Sequence, residues 1–396
     1  MRSAIMLVFD RLSTGFLGPY GNTWVETPGL NRLAAESALF EFPLSDSPCL
    51  ERTYRSYWSG WHAMSAPERV VGLAQQLEAA GVGTALITDA AELLQLPLAA
   101  GFGQRLKAAA APAERPAPEI NRTGTAQLLA ETLTWLSRAR GDFLLWVHAR
   151  GMQGPWDAPL AMRNQFADED DPLPPDFVAP PRRWLQPDED PDLLLGIQHA
   201  YAGQVTLLDE CLEAFLDACR DLPACDDALL VVTAPRGYPL GEHGRIGSVD
   251  GSIYGEHLHV PCLIRYPDQW QSLTRCQELV QPADVHATLQ QWFSVPNASP
   301  PSWGQSLTSL LQGQGGADRA AAISDSCRAL RTTQWFLHCR GDQLELFAKP
   351  DDRWEANEVS ARCQHLLPQL QDVLDDFQRA ARSGDRRQLA PLPDPQ

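Results

Sequence analysis

Short apolar stretches recur along the chain with helix-period segments between them. Ile5–Phe9 is continuously apolar and is expected to form a buried strand, and Gly29–Ser37 a short helix. Val70–Ala80 carries apolar residues at 70, 73, 74 and 77, the spacing of a longer helix, and Thr84–Thr88 is the next strand. Ala126–Ser137 is again helical and Phe143–His148 a strand. Val205, Leu208, Leu212, Phe215 and Cys219 stripe a further helix that precedes the strand Leu229–Thr233. Apolar strands alternating with helices predict a mostly parallel sheet covered on both faces.

Two stretches break the rhythm. Residues 108–118 and 167–191 are rich in proline, alanine and acid, and are expected to be surface excursions. Near the end, Gln334–Cys339 and Gln343–Phe347 flank Arg340-Gly341-Asp342, a hairpin signal. Leu366, Leu367, Leu370, Val373, Leu374 and Phe377 then mark one face of a closing helix. The organisation predicted is an α/β domain over 1–320, a small C-terminal unit over 321–382 and a loose tail over 383–396.

Composition narrows the function classes. The 396 residues are 44% hydrophobic and 21% charged, an ordinary globular balance. A net charge of −18 argues against an electrostatic grip on nucleic acid or on anionic lipid. The N-terminal apolar run is too short for a signal-peptide core, and no window approaches the ~18 apolar residues of a membrane helix. A cytoplasmic protein is expected, with its nine cysteines reduced, since they are scattered and contain no C-x-x-C pair.

Several segments carry a family resemblance. Phe9-Asp10, Leu17-Gly-Pro-Tyr-Gly21, Thr27-Pro-Gly-Leu-Asn-Arg-Leu-Ala34 and Leu77-Glu-Ala-Ala-Gly81 resemble the opening of the sulfatase family. Phe143–His148 with Gly154-Pro-Trp-Asp157 is similar to its middle segment. Leu240-Gly-Glu-His-Gly244, Ser252-Ile-Tyr254 and His259–Arg265 resemble its late metal-loop region. The resemblance spans about residues 4–380 and implies the alkaline-phosphatase superfamily fold. That is an α/β/α sandwich on a large mixed, mostly parallel sheet, with a small C-terminal antiparallel sheet and helix.

The chemistry implied by the resemblance is transferred position by position. The family holds calcium with an aspartate pair after the first strand and an Asp-Asn or Asp-His pair in the late loop. Here Asp10 remains as the one remnant, its partner position is Arg11, and the late pair is Pro235-Arg236. A guanidinium cannot ligate a cation and repels it, so no bound calcium or other cofactor is expected. The family nucleophile is a formylglycine made from the cysteine of a C-x-P-x-R-like motif, or a serine. Counting back from Ser59-Gly60 puts Leu50 at that position, with Cys49 one residue away and expected to be a buried thiol. The family's sulfate-binding lysine corresponds to Asp89, its histidine before the x-Pro turn to Gln153, and its late lysine to a position near Asp250.

Buried charges need partners, so Arg11 and Arg236 are expected to fill the space of the calcium and to neutralise Asp10. Three functions then compete. The first is a sulfatase-like pseudoenzyme with a binding or scaffolding role, paired with itself or with an active relative. The second is an active, rearranged hydrolase using Cys49, Ser47 or Ser59. The third is an anion receptor in which Arg11, Arg52, Arg55 and Arg236 line the old pocket. His243 joins that candidate binding set, with a plain loop hydrogen-bonding role as its alternative.

Overall fold

The strand Ser3–Phe9 (β1) is buried at every residue, and its two faces feed two separate cores. Ile5, Leu7 and Phe9 pack with the helices Pro28–Ala35, Gly124–Arg138 and Pro191–Cys219. Ala4, Met6 and Val8 pack with the helices Leu50–Ser59, Leu73–Ala79 and Pro282–Trp292. Because alternate residues of a strand face opposite ways, a strand that is apolar from Ala4 to Phe9 demands such cover on both sides. The computed structural model describes residues 2–67, 69–109, 113–249, 251–295 and 303–392.

In chain order the remaining strands are Ala38–Pro43 (β2), Gly83–Thr88 (β3), Gln104–Lys107 (β4), Phe143–Ala149 (β5), Arg183–Trp184 (β6) and Ala228–Thr233 (β7). Then follow Arg245–Ile246 (β8), Cys262–Arg265 (β9), Thr274–Val280 (β10), Arg319–Ile323 (β11), Arg328–Thr332 (β12), Trp335–Arg340 (β13) and Gln343–Ala348 (β14). Eight of them form one sheet in the order β10-β2-β9-β7-β1-β5-β3-β4. Only β9 runs against its neighbours, so the sheet is mixed and mostly parallel. A second sheet, β11-β12-β13-β14, is antiparallel throughout. The expected α/β/α architecture with a small C-terminal sheet is therefore observed.

Some boundaries differ from expectation. The helix predicted from Val70 begins at Leu73, because Gly72 is extended and serves as its N-cap. The helix striped at 205–219 begins much earlier, at Pro191, where the Asp190 side chain accepts from the backbone of Asp192. The excursion before it carries only the two-residue strand β6, paired with β8. The small sheet starts at Arg319, so the boundary predicted at 320 falls inside its first strand.

The closing helix, Leu367–Ser383, lays Leu370, Val373, Leu374 and Phe377 against Leu330, Leu337 and Leu346 of the small sheet. After it, Arg386–Gln388 forms a 3-10 turn. The Ala390 N–H donates to Asp376 at 2.9 Å, and its carbonyl accepts from Arg319 at 2.7 Å. No helix among the described residues is long and apolar enough to cross a membrane.

Register places the site. Val8 of β1 lies beside His148 of β5 on one side and Thr233 of β7 on the other. The C-terminal ends of these three parallel strands therefore deliver Asp10, His148 and the loop carrying Arg236 to one place, as expected for an open α/β sheet.

Candidate active site

Asp10 leaves β1 at the centre of the sheet edge and is 1% exposed. Arg236 meets it with a two-pronged grip: Nε donates to Oδ1 at 2.9 Å and Nη2 to Oδ2 at 2.8 Å. The remaining nitrogen, Nη1, donates to the Pro48 carbonyl at 2.8 Å. Burial alone would push the Asp10 carboxyl up, but Arg236 outweighs it and holds the group below its ordinary value. Burial likewise pulls on Arg236, and Asp10 more than restores it. This is the bidentate geometry in which an arginine–carboxylate pair is strongest.

Arg11 does not join that pair. Its backbone is left-handed (φ 62°), and its guanidinium finds other acceptors. Its Nη1 donates to Ser248 Oγ at 3.0 Å and to the Gly237 carbonyl at 3.3 Å, and its Nε donates to Gln153 Oε1. Its guanidinium also lies over the ring of Tyr238, 5.8 Å from the centroid. Gly237 is required there: a Cβ would stand 2.1 Å from the Glu256 carbonyl. Burial, reinforced by Arg236 and partly opposed by Asp10, pulls Arg11 down to about 9, which leaves it a cation at neutral pH. Of the two arginines expected to neutralise Asp10, only Arg236 pairs with it directly, and Arg11 acts on it through space.

Around the pair the nucleophile position is apolar. Leu50 opens the helix Leu50–Ser59 and packs against the second core. Cys49 is the N-cap of that helix and is exposed, not buried as expected, because a cap residue lies outside the packed helical face. Ser47 and Ser59 are occupied: Ser47 Oγ donates to the Ile323 carbonyl at 2.7 Å and Ser59 Oγ to the Arg55 carbonyl at 2.6 Å.

The other candidates disperse. Arg52 turns to Asp325 of the small domain at 2.7 Å, and Arg55 donates to the Ala63 carbonyl at 3.0 Å. Asp89 accepts from the backbone of Arg150 at 2.8 Å, and burial raises it to about 6. His243 is held at both nitrogens, by Glu256 Oε1 and the Glu355 carbonyl at 3.1 Å each, and stacks on Tyr254. It is a loop-fastening residue and does not join the arginines. Asp250 lies outside the described residues.

Sequence reasoning overlooked a buried pair beside Asp10. The Tyr54 hydroxyl and His148 Nδ1 are 2.5 Å apart, beneath Trp58 and Trp146. Burial pulls His148 down to about 4, so it is neutral at pH 7. Its place at the end of a strand adjoining β1 was the available signal.

A divalent cation does not fit this donor set. Such an ion wants several oxygens, carboxylates among them, whereas both oxygens of Asp10 are taken by one guanidinium and a second guanidinium stands nearby. Among the described residues no three His, Cys, Asp or Glu side chains converge to hold a metal.

Comparison with known proteins shows the family and the fold of the chain. The sulfatase family model matches residues 2–295. The chain belongs to the sulfatase family. Solved structures agree with that family in fold. A phosphonate monoester hydrolase of Agrobacterium radiobacter superposes with a TM-score of 0.78 at 18% identity, over 96% of this chain and 95% of that one. A protein solved with its substrate D-glucosamine-2-N,6-O-disulfate gives 0.79 at 16% identity, over 97% and 99%. A phosphonate monoester hydrolase from Silicibacter pomeroyi gives 0.68 at 17% identity, over 98% and 97%. At these identities the likeness shows the sulfatase fold alone. No curated protein matches the sequence.

Proposed function

We propose that this sulfatase-family chain has given up metal-dependent ester hydrolysis and acts as a metal-free binding or scaffolding protein. The observation that carries the reading is the two-pronged grip of Arg236 on Asp10. One protein cation takes the place where the family resemblance puts calcium and satisfies the same carboxylate. The remaining chemistry is thin in the same direction. Leu50 supplies no nucleophile, Gln153 no proton, and Asp89 a negative charge in place of the lysine implied for sulfate binding. Arg11, the second guanidinium near Asp10, is held by Gln153, Ser248 and the Gly237 carbonyl and not by a carboxylate.

The test is turnover of aryl sulfates and aryl phosphates with calcium or magnesium added, run against a Cys49→Ala control. The proposal expects no activity above the control in either metal. Metal-stimulated turnover would contradict it.

One observation favours a second reading, retained hydrolysis through Cys49. That thiol is exposed, stands at a helix N-terminus and lies near Arg236. Turnover that survives chelator and vanishes in Cys49→Ala would select this reading.

A further inference from the structure

A cleft of about 390 Å³ opens between the edge of the main sheet and the segment that follows β14. Its lining includes Arg331 of β12, which is 9% exposed. Nη1 of that guanidinium is buried without a hydrogen-bond partner, and the side chain makes no ion pair among the described residues. Glu355 acts on it only through space. One Glu355 oxygen takes the Lys349 ammonium and the other accepts from the backbone of Gly255 at 2.9 Å. The ring of Phe42 lies 5.8 Å from the Arg331 guanidinium carbon. Burial, partly opposed by Glu355, pulls the group down to about 10, so it stays charged at neutral pH. A buried cation with a free donor is costly unless something pairs with it.

The rim supplies a second cation and a flat surface. Arg353 stacks over Trp354 at 5.0 Å and gives one N–H to the Tyr20 carbonyl at 3.3 Å. Trp354 is 50% exposed, so its flat apolar ring is open to a ligand at the rim. Charge limits the occupant. Four cations line the cleft (Arg275, Arg331, Lys349, Arg353) against three carboxylates (Glu41, Glu256, Glu355), an excess of one. A doubly charged phosphate would face those carboxylates, and a neutral ligand would leave Arg331 unpaired.

We propose that this cleft binds a small monocarboxylate with a flat apolar body. The carboxylate accepts from Arg331 and the body rests among Phe42, Phe336 and Trp354. The size suits such a ligand, since small-molecule sites run upward from roughly 300 Å³. None of the lining residues is Asp10, Arg11, Cys49 or Arg236, so the site stands or falls independently of the role proposed for that centre.

The test is calorimetric titration of the full chain with benzoate, with benzamide as the neutral isostere and with phenyl phosphate as the dianion. Benzoate should bind saturably and roughly tenfold more tightly than either comparison compound. Arg331→Met should weaken benzoate by roughly tenfold or more, and the rim variant Trp354→Ala by a few fold. Benzamide or phenyl phosphate binding as well as benzoate would overturn the proposal, as would unchanged benzoate affinity in Arg331→Met. Should Arg331→Met fail to fold, Trp354→Ala and Arg353→Ala decide the matter, and full affinity in both would overturn it.

Discussion

Arg236 and Asp10 are 226 residues apart in sequence, yet two nitrogens of the one meet two oxygens of the other at 2.9 and 2.8 Å. Asp10 is fixed by the central strand β1 and Arg236 by the loop after the adjoining strand β7. The grip therefore ties together the loops at the middle of the sheet edge.

If the pair is the tie, removing one partner leaves a buried charge alone. Arg236→Ala should destabilise the fold by ~3 kcal/mol and Asp10→Ala by a similar amount. The double variant should lose clearly less than the sum, because the two residues share one interaction. Chemical denaturation of the four proteins measures this. Additive losses would mean that Asp10 is compensated elsewhere.

The pair also sets a pH dependence. In the wild type Asp10 lies below its ordinary value, so its contribution is present above the unfolded value of about 3.9 and is lost as pH falls through the folded one. In Arg236→Met, burial acts with its main opponent removed and raises the folded value. The Asp10 penalty then fades on acidification, as the carboxyl takes up a proton. The stability gap between the two proteins should narrow as pH falls from 7 towards about 4. Other buried acids contribute equally to both proteins and cancel in the difference. A gap independent of pH would count against the pairing.

Cys49 offers a check on the local geometry. It is exposed, whereas Cys211, Cys219, Cys225, Cys262, Cys327 and Cys339 are buried. Limiting iodoacetamide followed by peptide mapping should modify Cys49 ahead of those six. A protected Cys49 would restore the buried thiol that the sequence led one to expect.

The strands β1, β5 and β7 were legible because they are buried on both faces and so read as unbroken apolar runs. The Asp10–Arg236 pairing was legible too, since inverted charge at matched family positions leaves few ways to neutralise a carboxylate at the end of a core strand. The direction of Arg11 was not. Its acceptors, Gln153, Ser248 and the Gly237 carbonyl, come from distant segments that meet it only in the folded chain. Arg52 and Arg55 were grouped with the pocket by nearness in sequence, but they engage Asp325 and the Ala63 carbonyl instead. The Arg331 cleft was missed altogether, because β12, the end of β2 and the segment after β14 come together only in the folded chain.

The central claim is that a guanidinium stands in for the metal, and metal content tests it most directly. Protein purified without chelator should contain no stoichiometric calcium, magnesium or other divalent ion by plasma mass spectrometry, and its melting temperature should not change when chelator is added. One equivalent of a divalent ion per chain, with a fall of several degrees on chelation, would contradict the account.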